Sequence, residues 1–510
     1  MHVFETLLAL LLGATALSAV ARRLNIAYPT LLAVGGALIA FLPGGPRLQP
    51  PPDLILALFV APILMDAAYD TSLRDLKRNW APVSSLVFAA VGVTTAAVAI
   101  TARLLVPEMP WGAAIALGAL LAPPDAVAAL AVLRHAHPPH RIRVVLEGES
   151  LLNDATALLI YRLAVGAVAA GSFSLGEAAP AFALVCVGSV VAGALLAWPV
   201  GYVTRRIEDA PSSVIFQFVT TFGVWLLAEE LGLSGVVTIV VFGLTVARRR
   251  ASALPADLRI PSFAIWGTVT VVLNVLAFTL VGLQLRPILD PLSGQERAQY
   301  FGAALLILAI VIGVRLLWVL THHGLGKLLR RRSIAGDLPP TAKDAVVIGW
   351  SGMRGVVTLA AALALPSGFP YRDFIHLTAF VVVLGTLLIQ GLTLRSLLRW
   401  LKLPADNLVE TELGVARKAA LHAAMLALDG DDSPAAERLR DQYAEALGRV
   451  RDGQDPTETR DHLLQRRLVG ASREAIEQLR RAGTIGDEAF RRVEEELDWL
   501  ELSTRSSVGS

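Results

Sequence analysis

The 510-residue chain is 55% hydrophobic and only 17% charged, and it contains 41 glycines. This composition excludes an ordinary water-soluble domain and is typical of a polytopic membrane protein, in which small residues let helices approach closely. The net charge is close to zero, at +2, and the single cysteine, Cys186, excludes a disulfide framework.

Apolar windows of about 17 to 25 residues, long enough for a hydrocarbon core about 30 Å thick, recur along most of the chain. They predict an all-α polytopic membrane protein with about 13 transmembrane helices. In chain order the predicted spans are residues 3–21, 28–43, 53–70, 81–105, 111–133, 145–170, 178–203, 212–231, 233–248, 262–285, 299–321, 343–365 and 373–400.

Lysine and arginine concentrate in every second loop between these spans. The positive-inside rule then predicts an external N-terminus and a cytoplasmic C-terminus. The Ala- and Arg-rich composition is typical of a bacterial protein, so we expect the bacterial inner membrane. The runs Arg248 to Arg250 and Arg330 to Arg332 fit contacts with anionic lipid and give no case for nucleic-acid binding.

The composition changes abruptly after Leu403 and Pro404. Residues 405–510 are charged, and their amphipathic patterning predicts a small helical cytoplasmic domain. We therefore predict two domains, a transmembrane transporter domain over residues 1–403 and this C-terminal domain.

The stretch from Glu147 to Asp154 carries three acids and an amide directly into an apolar run. A charged side chain inside a membrane helix is costly and usually faces a partner, water or an ion. Counted from the loops at about 1.5 Å per residue, Asp66, Asp125, Asp154 and Arg354 all reach the middle of the membrane. Their common depth indicates one functional site.

Two spans are interrupted where they carry these groups. Pro123 and Pro124 remove N–H donors just before Asp125, and residues 349–355 form a glycine-rich break in the twelfth span. Non-helical backbone at membrane depth is tolerated only where it is buried or lines a cavity. One broken span in each half, running in opposite directions, predicts inverted repeats whose substrate binds between the half-helices.

The polar groups of this region are hard oxygen donors, which suit a small alkali cation. The candidate ligands are Asp125, Asp154, Asp66, the Ser150 hydroxyl, the Asn153 amide oxygen and the Pro124 carbonyl. A carboxylate withdrawn from water can hold either a proton or the cation, so the two compete. If the empty charged site cannot cross the membrane, transport of one ion obliges countertransport of the other. This chemistry calls for no cofactor.

Glu149 and Arg354 would each be costly as a lone buried charge. We therefore predict that they form a structural ion pair, which locks the sixth span to the broken twelfth span.

Three motifs resemble the monovalent cation:proton antiporter family, which includes bacterial and animal sodium/proton exchangers. They are Pro123 to Ala128, Glu147 to Asp154 and Gly352 to Val357, and they stand in the expected order. The resemblance covers about residues 1–400, and the chain is identified as a bacterial-type member.

The resemblance implies a homodimer, in which a core that includes residues 111–170 and 343–400 moves like an elevator against a dimerisation domain. It implies a sodium/proton antiporter with electroneutral one-for-one exchange, serving pH homeostasis, with Asp125 and Asp154 as the ion and proton site. Asn153 in place of a second acid is the family's mark of electroneutral exchange.

Two departures from the family touch the predicted cation site. Many relatives have glutamate at the position of Asp66 and threonine at the position of Pro124. A potassium/proton or lithium-tolerant antiporter therefore stays open, as does an electrogenic exchanger that uses Asp66 as a further proton carrier. Remoter alternatives are a cation channel, whose flux would not be coupled to protons, and an intramembrane aspartyl protease, in which two aspartates share a proton.

Overall fold

The computed structural model describes residues 2–24, 26–42, 51–133, 138–170, 175–250, 255–329, 341–403, 408–456, 460–482, 484 and 487–504. Every regular element among these residues is helical, which confirms the predicted all-α fold class. The chain divides into two compact units, Met1–Ala405 and Asp406–Ser510.

Seven helices make up the described beginning of the first unit, and two pairs of them are joined by π-helical turns. They are α1 (His2–Leu24), α2 (Tyr28–Ala40), α3 (Pro52–Ile55), α4 (Ala61–Asp70), α5 (Leu73–Arg78), α6 (Trp80–Ser84) and α7 (Val91–Leu105). A π-helical turn over Leu56–Val60 joins α3 to α4, and another over Ser85–Ala90 joins α6 to α7.

Twelve further helices follow among the described residues of the first unit. They are α8 (Trp111–Leu121), α9 (Ala126–Leu133), α10 (His140–Ala170), α11 (Leu175–Thr204), α12 (Ala210–Glu230), α13 (Gly235–Arg250), α14 (Ala256–Leu283), α15 (Leu285–Leu289), α16 (Gly294–Leu329), α17 (Ala342–Trp350), α18 (Val356–Leu363) and α19 (Arg372–Leu401).

Eight stretches of helix among the described residues are long and apolar enough to span a membrane. Three apolar helices are shorter, over Leu8–Ala21, Tyr28–Ala40 and Gly235–Arg248. The predicted spans 53–70 and 343–365 are each divided between shorter helices. The total number of membrane crossings therefore stays a prediction.

The helices of the first unit pack in two groups. α8 lies against α7 and α10, and α16 lies against α7, α17 and α19; with α9 and α18 these form the central bundle. α14 packs on α2, and α13 packs on α4, α11 and α12; with α1 these form the flanking bundle. In the most apolar window of Trp111–Leu133, 72% of the residues are buried, against 17% in Phe182–Thr204 of α11. The first broken span therefore lies deep in the unit, and α11 lies at its periphery.

Glycines allow the closest helix contacts. A Cβ at Gly36 of α2 or at Gly282 of α14 would meet the backbone of the other helix, and Gly118 of α8 lies equally close to the Thr95 backbone in α7. Such small residues let helix backbones touch in a setting where lipid is as apolar as the side chains.

The described residues of the second unit form α20 (Leu408–Leu426), α21 (Pro434–Arg451), α22 (Arg460–Arg481) and α23 (Asp487–Thr504). α20 packs on α21, and α22 packs on α23. Arg473 of α22 bridges to Glu501 of α23 at 2.6 Å, and Arg480 lies over the Phe490 ring at 4.3 Å. These contacts hold α22 and α23 together as a helical hairpin.

Candidate cation site where two broken helices cross

The first broken span is interrupted just before Asp125. α8 ends at Leu121 and α9 begins at Ala126, so the break lies where the two prolines predicted it. The Asp125 Oδ1 accepts the Val127 N–H at 2.8 Å. This bond caps the N-terminus of α9 and fixes the orientation of the carboxylate.

The second broken span is interrupted between Trp350, which ends α17, and Val356, which begins α18. The break coincides with the predicted glycine-rich stretch. A Cβ at Gly355 would overlap the Asp125 carboxylate. The lack of a side chain at this position therefore allows the two breaks to touch.

Hydrogen bonds join the two breaks directly. The Asp125 N–H donates to the Met353 carbonyl at 2.6 Å. The fully buried Arg354 side chain donates through Nε to the Leu121 carbonyl at 3.0 Å and through Nη2 to the Ala122 carbonyl at 3.3 Å. Carbonyls at the end of a helix have no helical donor and carry partial negative charge. Arg354 supplies both hydrogen bonds and positive charge at the end of α8.

α10 brings three polar side chains to the first break. Ser150, Asn153 and Asp154 lie on one face because they are separated by three and four residues. The Ser150 Oγ accepts the first N–H of α9 at 3.4 Å, and the Asn153 Nδ2 donates to the Pro124 carbonyl at 3.2 Å. Asp154 is 8% exposed, directly follows Asn153 and lies one helical turn after Ser150, on the face of α10 that contacts the first break. The crossing thus brings together five of the six predicted cation ligands, which are Pro124, Asp125, Ser150, Asn153 and Asp154.

The oxygens of the crossing can hold a cation. The Asn153 Oδ1 is buried and has no hydrogen-bond donor among the described residues. A buried oxygen without a partner is costly, and a bound cation would satisfy it. With two carboxylates and a hydroxyl nearby, the donor set suits a hard monovalent cation. The same carboxylates can accept protons instead.

The prediction that Glu149 pairs with Arg354 is wrong. Glu149 forms a buried bidentate pair with Arg315 of α16, with 2.5 Å from Oε1 to Nη1 and 2.8 Å from Oε2 to Nη2. Arg315 also donates to the Ile348 carbonyl of α17 at 3.2 Å. The pair therefore ties α10 to α16 and α17, while Arg354 is held by backbone carbonyls. An arginine deep in an apolar span requires a partner, so the position of Arg315 already carried a signal.

Asp66 lines an open pocket between α4, α12 and α14. The lining residues are Met65, Asp66, Tyr69, Gln217, Arg259, Ser262, Phe263 and Trp266. One wall is a buried network in which Gln217 accepts from Trp266 at 2.8 Å and donates to Ser262 at 3.4 Å. No residue of the crossing contributes to these walls, so direct ligation of the cation by Asp66 stays a prediction.

Comparison with known proteins identifies the family. A sequence profile described as "Sodium/hydrogen exchanger, transmembrane" matches residues 7–400. The chain belongs to the sodium/hydrogen exchanger family. An uncharacterized Na+/H+ exchanger of Mycobacterium tuberculosis is 32% identical over 94% of this chain and 92% of its own length.

Other relatives of this exchanger have more specific names. A "sodium, potassium, lithium and rubidium/H+ antiporter" of Bacillus pumilus is 32% identical over 77% of this chain and 61% of its own length. The structure of the sodium proton antiporter MjNhaP1 from Methanocaldococcus jannaschii at pH 8 superposes with a TM-score of 0.60 and 20% identity, covering 79% of this chain and 99% of that chain.

These matches confirm the resemblance that the three motifs indicated. The exchanger is a multi-pass membrane transporter and not an enzyme, and the activity of its family is cation/proton antiport. An intramembrane protease is thereby excluded. The similarity to MjNhaP1, at 20% identity, shows a common helical fold.

Proposed function

We propose that this exchanger transports one sodium ion in exchange for one proton by alternating access, with Asp125 and Asp154 as the shared site. The observation that supports the proposal is the pair of carboxylates at the crossing, with the Ser150 hydroxyl and the Asn153 amide beside them. Both broken spans contribute backbone to this crossing, and such backbone is expected only where it is buried or lines a cavity.

Competition between the two ions follows from electrostatics. Two neighbouring carboxylates in a buried site repel one another when both are ionised. A bound cation or a bound proton relieves this repulsion, so the loaded site can move between the two faces and the empty site cannot. Transport of one ion in one direction therefore requires return of the other.

Asn153 supports a one-for-one stoichiometry. Its Nδ2 donates to the Pro124 carbonyl, and an ionised carboxylate at this position could not donate. The amide is thus required for the local geometry, and it adds no titrating group. The placement of Asp66 in a separate pocket favours the electroneutral reading over an electrogenic one in which Asp66 carries a further proton.

The choice of cation has one specific alternative. The Bacillus pumilus relative is named for sodium, potassium, lithium and rubidium, which favours a broad alkali-cation site as the second candidate.

We further propose the setting in which exchange takes place. The loop charges support an orientation with the N-terminus outside and the C-terminal unit in the cytoplasm, and the bacterial relatives support a bacterial inner membrane. The arginine runs support contact with anionic lipid. The homodimer and the elevator motion rest on membership of the family.

Asp154→Asn is expected to abolish exchange, because the amide keeps the shape of the side chain but cannot carry a proton at neutral pH. The measurement uses purified protein in proteoliposomes with an imposed pH gradient, and it follows internal pH after addition of sodium, lithium or potassium. Asp290→Asn, which changes an acid that is 61% exposed in the loop after α15, is the matched control and is expected to retain exchange.

The same assay at several clamped membrane potentials tests the stoichiometry. A rate that does not depend on the potential supports one-for-one exchange, and a rate that follows it indicates a further proton carrier. If no alkali cation collapses the pH gradient, or if cation flux proceeds without a pH response, the antiporter proposal is wrong.

A further inference from the structure

The short half-helix α18 is anchored at both ends. At its N-terminal end Gly355 lies against the Asp125 carboxylate. Near its C-terminal end, side chains bond to two carbonyls of the last turn, one of which, Ala362, also accepts the Leu365 N–H at 3.2 Å. The Tyr161 hydroxyl donates to the Ala361 carbonyl at 3.0 Å, and the His376 Nε2 lies 3.0 Å from the Ala362 carbonyl.

Tyr161 stands on the helix that carries the cation site. It follows Asp154 by seven residues, which is two helical turns, so the two side chains lie on nearly the same face about 10 Å apart. On α18, Ala361 follows Gly355 by six residues, or about 9 Å. The spacing on α10 therefore matches the spacing on α18. Asp154 and Asp125 lie at one level, and the hydrogen bond from Tyr161 to Ala361 lies about 9 to 10 Å further along both helices.

The other contacts of α10 reach a different part of the crossing. Ser150 and Asn153 both bond to backbone of the first broken span. The Tyr161 hydroxyl instead links α10 to α18. Tyr161 is 8% exposed, and Ala361 is fully buried, so water does not replace this bond.

We infer that Tyr161 is a positioning residue of the cation site, whose hydroxyl sets the placement of α18, and hence of Asp125, relative to Asp154. The inference rests on the proposed function, because it assigns the cation to these two carboxylates. If the bond is lost, α18 keeps its contacts with α19, α8 and the first break but loses this restraint from α10, so the spacing between the oxygens that surround the cation changes. Binding of the cation then weakens, and discrimination between cations of different radius changes.

The test compares Tyr161→Phe with Ser189→Ala. Tyr161→Phe removes only the hydroxyl. Ser189 of α11 is a buried hydroxyl that accepts the Ser234 N–H at 2.9 Å and donates to the Val185 carbonyl at 2.6 Å, so Ser189→Ala removes buried hydrogen bonds of a hydroxyl within the flanking bundle, away from the site. Both variants are expected to lower the melting temperature. Only Tyr161→Phe is expected to raise the KM for sodium. The expected increase is about fivefold, which corresponds to the free energy of one hydrogen bond. The same variant is expected to change the ratio of the KM for sodium to the KM for lithium.

Binding is also measured without transport, from the rise in melting temperature of the purified protein with sodium or lithium concentration. If detergent unfolds Tyr161→Phe, the KM values are compared in inverted membrane vesicles without extraction. Equal KM and equal selectivity in Tyr161→Phe and wild type overturn the inference and leave Tyr161 a structural residue.

The binding measurement separates this inference from the antiporter proposal. If the wild type binds sodium but does not exchange it, the antiporter proposal fails. The dissociation constants of wild type and Tyr161→Phe for sodium and lithium still decide the role of Tyr161. If no cation stabilises the wild type and none is exchanged by it, the Tyr161 inference and the antiporter proposal are both overturned.

Discussion

At the scale of single residues, two buried arginines satisfy different groups. Arg354 donates to carbonyls at the broken end of α8, whereas Arg315 neutralises Glu149. A helix end carries only partial charge, but an ionised glutamate carries a full one. The loss of each arginine therefore leaves a different defect: unsatisfied carbonyls in the first case and an uncompensated carboxylate in the second.

Arg315→Ala is expected to destabilise the protein by about 3–5 kcal/mol, because Glu149 then remains as a lone buried charge. The double variant Glu149→Leu/Arg315→Met replaces the pair by apolar side chains and is expected to regain most of this stability. Thermal unfolding of the purified variants, followed by tryptophan fluorescence, measures the difference.

Arg286→Ala is the control for this pair. Its partner Asp290 lies 3.8 Å away and is 61% exposed, so the variant is expected to change stability by less than about 1 kcal/mol. A double variant no more stable than Arg315→Ala would show that the pair contributes packing or hydrogen bonds which apolar side chains cannot replace.

The sequence predicted which polar residues meet at the crossing, but the predicted partner of Glu149 was wrong. The face of α10 with Ser150, Asn153 and Asp154 could be predicted because helical periodicity fixes which residues point the same way. The partner of Glu149 could not, because counting residues from a loop yields depth in the membrane and not direction around the helix. Arg315 and Arg354 both lie deep in their spans, and only packing distinguishes them.

At the scale of secondary-structure elements, the two broken helices were predictable because their residues cannot continue a helix. Pro123 and Pro124 lack N–H donors, and the glycines of residues 349–355 disfavour helix while allowing close contact. The π-helical turns at Leu56–Val60 and Ser85–Ala90 were not predicted. Pro62 follows the first turn and gives it a local cause, but no proline or glycine lies within the second.

The close contact between α2 and α14 predicts that one added methyl group lowers the stability of the protein. Gly36→Ala is expected to destabilise the protein by about 1–3 kcal/mol, because the new Cβ meets the Thr279 carbonyl and the backbones must separate. Gly13→Ala on α1 faces open space and is expected to leave stability unchanged or raise it. Melting temperatures of the two variants measure the contrast, and equal values would mean that α2 and α14 separate without cost.

At the scale of the whole molecule, the central bundle is built from spans distant in the chain. α16 and α19 pack beside α7, α8 and α10, although the flanking helices α11 to α14 lie between them in sequence. Periodicity and hydropathy describe each span alone, so they predict the spans but not which ones pack together. The three motifs carried the missing information, because they marked the spans that meet at the crossing.

One polar contact joins the two bundles near the C-terminal end of α10. Arg162 of α10 bonds to Glu229 of α12 at 2.7 Å, and Glu229 also accepts the Gly235 N–H at 3.0 Å at the start of α13. Since Arg162 is 47% exposed, the attraction itself contributes little, and the position is accessible to reagents. The contact is therefore a place to test whether the bundles move relative to one another.

Joining these positions covalently is expected to stop exchange, because in the proposed elevator motion the crossing moves relative to the flanking helices. The experiment places Arg162→Cys and Glu229→Cys in a Cys186→Ser background, which removes the chain's one natural cysteine, and adds a reducible bifunctional thiol reagent to proteoliposomes. Arg286→Cys with Asp290→Cys is the control, because both residues lie one turn apart and a bridge between them restrains no bundle. Loss of exchange only in the first pair, with recovery on reduction, is the expected result. Full exchange in the bridged Arg162→Cys/Glu229→Cys variant would mean that the two bundles keep this contact throughout the transport cycle. Access to Asp125 and Asp154 would then change by a smaller movement within the central bundle.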